Sequence, residues 1–184
     1  MGTSIKIKII MKKIIKINFS FLTFLLIPLI FLWNPNYFRL MDVQPQWSIL
    51  WLFPWACVYG PFNGLLAGLS LGIVLDSLYQ DPYTQIPGMV ICGFLFGKLS
   101  KYKSSDINKF KYCLICSYGS LICNCIYFFQ IIFYNYENNN ILWFAYGIKN
   151  VFAQIFVTGL LAPVICNLLF SLFKKNHVRN PSIF

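Results

Sequence analysis

From Val43 to Leu75 the chain carries no charged residue, and within that run glycine recurs at every fourth position, at Gly60, Gly64, Gly68 and Gly72. The next step of the series lands on Asp76. In water each glycine inside a helix costs about 1 kcal/mol relative to alanine, so four of them would argue against a helix. Hydrocarbon reverses the balance, because there the backbone must close its own hydrogen bonds and a helix does so within one segment. A small-xxx-small series then leaves a shallow groove down one side, where another helix approaches backbone to backbone. Four-residue steps drift by about 40°, so the groove winds slowly and suits a neighbour crossing at an angle. The segment GPFNGLLAGLSLGIVLDSL is therefore expected to be the packing centre of a small membrane protein, with Asp76 near one surface.

Composition agrees. Of 184 residues, 58% are hydrophobic and 11% charged, where a soluble domain carries about 25% charged residues. Several apolar runs approach the ~20 residues that cross hydrocarbon. The net charge of +10 raises the question of nucleic acid. Its placement answers against that partner: thirteen of the fifteen basic residues fall in three groups abutting apolar runs, Lys6–Lys16, Lys98–Lys111 and Lys174–Arg179. That is the positive-inside pattern of cytoplasmic membrane edges, and it makes anionic lipid the expected partner of the lysine clusters.

Alternation of basic and neutral flanks predicts an all-α fold, a polytopic six-helix transmembrane bundle with both termini cytoplasmic. The expected spans are 17–33, 47–59, 61–78, 86–99, 113–134 and 150–173, within a transmembrane domain over 17–175. A basic cytoplasmic segment (1–16) precedes it and a short tail (176–184) follows. Met11-Lys-Lys offers a second start, and the first span resembles a signal peptide but lacks a small-residue cleavage site, so it is expected to be retained. Residues 47–78 as one helix would reach about 50 Å, so a hairpin at Gly60-Pro61 is expected, with Pro61 in the first turn of the glycine helix. Trp47 should sit at the headgroups, Trp51 and Trp55 should face lipid or a partner, and Pro54 should kink the helix. The fourth span is short, about 21 Å, and carries Gly93-x-x-x-Gly97. The last apolar run is too long for one crossing; Leu142–Lys149 is expected at the outer interface, with Pro163 a kink in the crossing that follows.

Few residues could carry chemistry. Cys113-x-x-Cys116 and Cys123-x-Cys125 have metal-like spacing, but they share one apolar helix with no histidine nearby, so buried filler is expected of the seven cysteines. No paired acid and base, intramembrane protease constellation or phosphate loop is present, so no catalytic residue, cofactor or metal is expected. Asp76 is the only acidic residue well inside an apolar run. Lys149 lies at similar depth in the expected topology, which suggests an intramembrane Asp76–Lys149 pair. Asn124 and Gln130 are candidates for interhelical hydrogen bonds.

One block also resembles a known family. An outer Pro-x-Trp, an apolar helix, a glycine-rich helix ending in Leu-Asp, a loop with a glycine and another short helix are similar to MreD, the rod shape-determining protein D of bacteria. The matching positions are Pro45, Trp47, Gly64, Gly68, Gly72, Leu75, Asp76 and Gly88, joined by Pro163 with Lys174–Lys175 in the last helix. The dense part of the resemblance covers residues 45–99. Departures are the long lysine-rich N-terminus, a fifth helix rich in tyrosine and cysteine, and Gln44 where a basic residue is more usual. The resemblance implies a non-enzymatic subunit of the cell-wall elongation machinery in the bacterial cytoplasmic membrane. Its partners would be MreC, the RodA glycosyltransferase, a class B penicillin-binding transpeptidase and the actin-like MreB. It also implies an architecture similar to the S components of energy-coupling-factor transporters. The glycine groove would then pack helices internally or seat the single span of an MreC-like partner. The alternative reading is a transporter subunit that binds a small molecule through a polar pocket drawn from Asp76, Tyr79, Asp81, Tyr83, Gln85 and Lys149.

Overall fold

The computed structural model describes residues 43–78, 83–99, 109–134 and 141–178. These form five helices and no strand: α1 (Trp47–Tyr59), α2 (Pro61–Leu78), α3 (Ile86–Lys98), α4 (Lys109–Tyr134) and α5 (Ile141–Val178). All belong to one unit of the chain. The expected basic segment 1–16, the span 17–33, Lys101, Lys103 and the tail beyond residue 178 lie outside the described residues.

Local chemistry sets the turn between α1 and α2. Gly60 adopts φ 92° and ψ 178°, a region that side chains other than hydrogen rarely allow. Its N–H still donates to the Ala56 carbonyl at 2.9 Å, and its own carbonyl accepts from Gly64 N–H at 2.9 Å, so the corner strands neither group. Pro61 opens α2, where its missing N–H is one of the unpaired donors anyway. Within α1, Pro54 has no N–H for the Leu50 carbonyl. The Cys166 thiol of α5 is directed at that oxygen instead, at 3.7 Å.

Among the described helices the centre is α1, not the glycine helix. It contacts all four other helices, and eight of its thirteen residues are buried. The glycine-rich α2 lies against α3 and α1. This corrects the expectation that α2 is the packing centre, and the reason is volume. Glycines thin one side of a helix and admit one close neighbour, whereas a core shared by four neighbours must be filled with large side chains. Phe53 fills it: its ring lies 5.2 Å from Phe96 of α3, 6.0 Å from Tyr112 of α4 and 5.5 Å from Phe170 of α5, all edge-on. Such pairs contribute about 0.5–1.5 kcal/mol each beyond the area they bury. Trp51, expected to face lipid or a partner, is 5% exposed; it stacks on Trp55 at 5.7 Å and meets Phe173 of α5 edge-on at 6.1 Å.

The surface is apolar where a soluble bundle would be polar. On α5 the exposed residues Phe152, Phe156, Leu160, Val164, Leu168 and Leu172 recur every fourth position. Comparable stripes run down α4 (Phe110, Leu114, Tyr118, Leu121) and α2 (Phe62, Leu66, Leu69, Ile73). Ser48, Ser120 and Thr158 are buried instead. This inverts the arrangement of a surface helix in water. Three helices are long and apolar enough to cross a membrane, over Pro61–Leu78, Phe110–Phe133 and Gly147–Phe173. α1 and α3 are apolar but thirteen residues each, a rise of about 20 Å. Where the sequence suggested a separate interfacial stretch before residue 150, α5 is continuous from Ile141 to Val178. Lys149 and Asn150 are exposed on it.

Candidate functional site

Two features gather the residues singled out by sequence: the seam between α2 and α3, and a polar clamp where that seam ends.

Along the seam the two backbones touch. A Cβ on Gly64 would collide with the Gly93 carbonyl oxygen, and one on Gly93 with that of Gly64. A Cβ on Gly68 would strike the Met89 carbonyl, and one on Gly72 would come within 2.7 Å of Ile86 Cα. Gly97 meets Gly60 and Pro61 in the same manner. The glycine series of α2 thus lies along α3, with Gly64 against Gly93, Gly68 against Met89 and Gly72 against Ile86. Gly60 touches the seam only through its backbone, against Gly97; nothing lies within 4 Å of a Cβ placed on it, and the need for glycine there comes from the turn. The seam continues into α4 and α5 through other small residues. Gly88 faces Cys123, whose Cα would lie 3.1 Å from an added Cβ, Gly119 faces the ring of Phe96, and Gly159 faces Ser117.

At the end of the seam Asp76 acts as a cap for the neighbouring helix. Its carboxylate accepts the Gln85 N–H at 2.7 Å and the Thr84 hydroxyl at 2.5 Å. Thr84 Oγ1 in turn accepts the Ile86 N–H at 3.2 Å. The Ile86 N–H, one of the first donors of α3 with no partner inside the helix, and the Gln85 N–H just before it are met this way, and Pro87 contributes none. From α4, Gln130 closes the arrangement with two bonds to the Thr84 backbone: its Oε1 accepts from the N–H at 3.0 Å and its Nε2 donates to the carbonyl at 2.9 Å. Tyr83 and Tyr127 meet edge-on beside it at 5.5 Å. The carboxylate is occupied within its own hairpin, and Lys149 lies exposed on α5 with no ion pair to it. Depth alone had suggested that pair; a partner eight or nine residues away in sequence is reached before one on a distant helix.

Other expected positions fall as follows. Pro45 is buried just before α1, and Trp47 is the first residue of α1. Leu75 is buried, and Pro163 is half-buried within α5. Asn124 bonds within its own helix, to Ser120, whereas Gln130 crosses between elements. Sequence reasoning did not single out Thr84 or Thr158. Thr158 Oγ1 accepts the Gln46 N–H at the start of α1, at 3.0 Å, and donates to the Gln154 carbonyl at 2.6 Å. Hydroxyls in apolar helices are too common for either to be distinguished by pattern.

All seven cysteines are free thiols. Four of them pair across helices rather than along the Cys-x-x-Cys spacing: Cys92 of α3 faces Cys123 of α4, and Cys116 of α4 faces Cys166 of α5, each with sulfurs 3.6 Å apart. Cys92 also directs its thiol at the Gly119 carbonyl and Cys57 at that of Phe96, both at 3.4 Å. Among the described residues no group of three or more His, Cys, Asp or Glu side chains is placed to hold a metal ion. Compared with known protein families, with curated proteins and with solved structures, the chain matches none.

Proposed function

We propose that this chain is a multi-pass, non-enzymatic subunit of the bacterial cell-wall elongation machinery in the cytoplasmic membrane, acting by holding partners together. The supporting observation is where the positions that resemble MreD fall. Gly64, Gly68 and Gly72 form the α2–α3 seam, Asp76 caps α3, and Gly88 seats α3 against α4. They draw α2, α3 and α4 into close contact, which suits a scaffold. The six-span topology with both termini in the cytoplasm belongs to the same reading, as do anionic lipid at the lysine clusters and the absence of a cofactor. Because α3 fills the glycine groove, the single span of an MreC-like partner would sit on one of the exposed apolar stripes.

The test is purification of the tagged full chain in mild detergent, with identification of what accompanies it. An MreC-like protein, a RodA-type glycosyltransferase or a class B penicillin-binding transpeptidase is expected. Recovery of an ATPase-coupled complex instead, or depletion that leaves peptidoglycan growth unchanged, would overturn the reading.

A further inference from the structure

α1 begins inside the apolar part of the bundle rather than at its edge. The Gln46 N–H at its head donates to the Thr158 hydroxyl at 3.0 Å, so the head shares the depth of Thr158 on α5. Two measures fix that depth. Along α5, Thr158 lies about 9 Å below Phe152, where the exposed apolar stripe starts, and about 14 Å below the exposed Lys149. Across the bundle, α4 runs antiparallel to α5, with Gly147 against Phe128 and Gly159 against Ser117. Gln130, which fastens the polar clamp, stands about 20 Å along α4 from Ser117. The head of α1 therefore lies well below the surface marked by Lys149 and the clamp.

The chain at that depth is polar and irregular. Gln44–Gln46 is not helical, and Gln46 has φ −81° and ψ 82°. Irregular backbone at membrane depth persists only where protein buries it or where it lines water. Pro45 is buried, but Val43, Gln44 and Gln46 are half-buried, so protein does not fully cover them. Gln154, one turn above Thr158 on the same side of α5, is half-buried as well. It lies about 200° around the helix from the lipid-facing Phe156. Gln46 Oε1 is enclosed yet meets no donor among the described residues, and an enclosed carboxamide oxygen of this kind is ordinarily met by water.

We propose that the head of α1 is the floor of a water-filled pit that opens on the clamp side of the molecule and is lined by Gln44, Gln46 and Gln154. These side chains offer amide donors and acceptors and no charge, which suits water rather than an ion. Trp47, expected at the headgroups, lies at the pit floor beneath them. The inference requires the chain to span a membrane and is independent of the machinery it serves.

The test compares water access on two sides of one turn of α5. The full chain, carrying Cys125→Ala to remove the exposed native thiol, is placed in nanodiscs of dioleoylphosphatidylcholine and treated with a small charged methanethiosulfonate. Gln154→Cys reports the pit, and Phe156→Cys reports the lipid face within about 3 Å of the same depth. Measured above the Cys125→Ala background, Gln154→Cys is expected to react at least about tenfold faster than Phe156→Cys, because the charged reagent does not enter hydrocarbon. A smaller ratio overturns the proposal in either form. If both thiols are protected, the head of α1 is dry; if both react fast, this level of α5 lies outside the hydrocarbon. Where Gln154→Cys does not fold, Gln46→Cys takes its place in the same comparison.

Discussion

Alanine at the tightest point of the α2–α3 seam tests the architecture directly. A Cβ on Gly64 would lie 2.9 Å from Ala56 Cβ and 3.1 Å from the Gly93 carbonyl carbon, with the Gly93 oxygen closer still. In return, a Cβ on Gly93 would lie 2.8 Å from the Gly64 carbonyl carbon. Unstrained carbon contacts are about 3.5–4.0 Å, and the atoms in the way are mostly backbone, with no rotamer to yield. Overpacking of this kind costs about 1–3 kcal/mol, and alanine returns up to about 1 kcal/mol as a better helix former. Each of Gly64→Ala and Gly93→Ala is thus expected to destabilise the bundle by about 1–2 kcal/mol. Both methyl groups invade one slot, so helices already forced apart by the first accommodate the second. The double variant should fall short of the sum by at least about 0.5 kcal/mol. Unfolding by sodium dodecyl sulfate in mixed micelles measures all three, with the lipid-facing Leu69→Ala expected to change stability by less than about 0.5 kcal/mol. If Gly64→Ala is as stable as the parent, or the two losses simply add, the backbone-to-backbone seam is refuted.

Three further outcomes are expected in the same assay. Asp76→Asn leaves one acceptor where two bonds converge and should cost about 1–2 kcal/mol; Lys149→Gln should be near neutral, and the two effects should add, since the residues do not touch. Thr158→Val removes the acceptor of the Gln46 N–H and should cost about 1–2 kcal/mol, seen as earlier unfolding together with faster hydrogen exchange at the start of α1. Phe53→Ala empties the site where α3, α4 and α5 meet on α1 and should cost about 3–5 kcal/mol, whereas Phe53→Leu should recover much of it.

Where helices begin and end was legible from particular residues. Gly60-Pro61 marks the corner between α1 and α2, and Pro87 marks the start of α3. The regular glycine spacing in α2 and the pair Gly93 and Gly97 in α3 each announce a close approach, but spacing does not say which neighbour fills a groove. The central place of α1 was not legible. In hydrocarbon an apolar residue is equally at home against lipid or against protein, so a helix that is apolar all round gives no sign of which face is buried. Trp51 shows this: its type favours an interface, yet the ring is inside. Asp76 was flagged by its rarity, but its partners were not, because a threonine hydroxyl and a backbone N–H in a short loop leave no pattern. The crossed cysteine pairs were hidden for a related reason, since contacts between helices obey no spacing along one of them.

The position of α1 bears on the timing of biogenesis. Gln46 at its head is held by Thr158, 112 residues later, and its proline gap is answered by Cys166 from the same late helix. At about 5–20 residues per second of synthesis, the ribosome needs roughly 6–22 s to deliver those groups. Until then the earliest described helix waits without its final neighbour, so a nascent chain cut short before α5 should be recognised by quality-control proteases as unfinished.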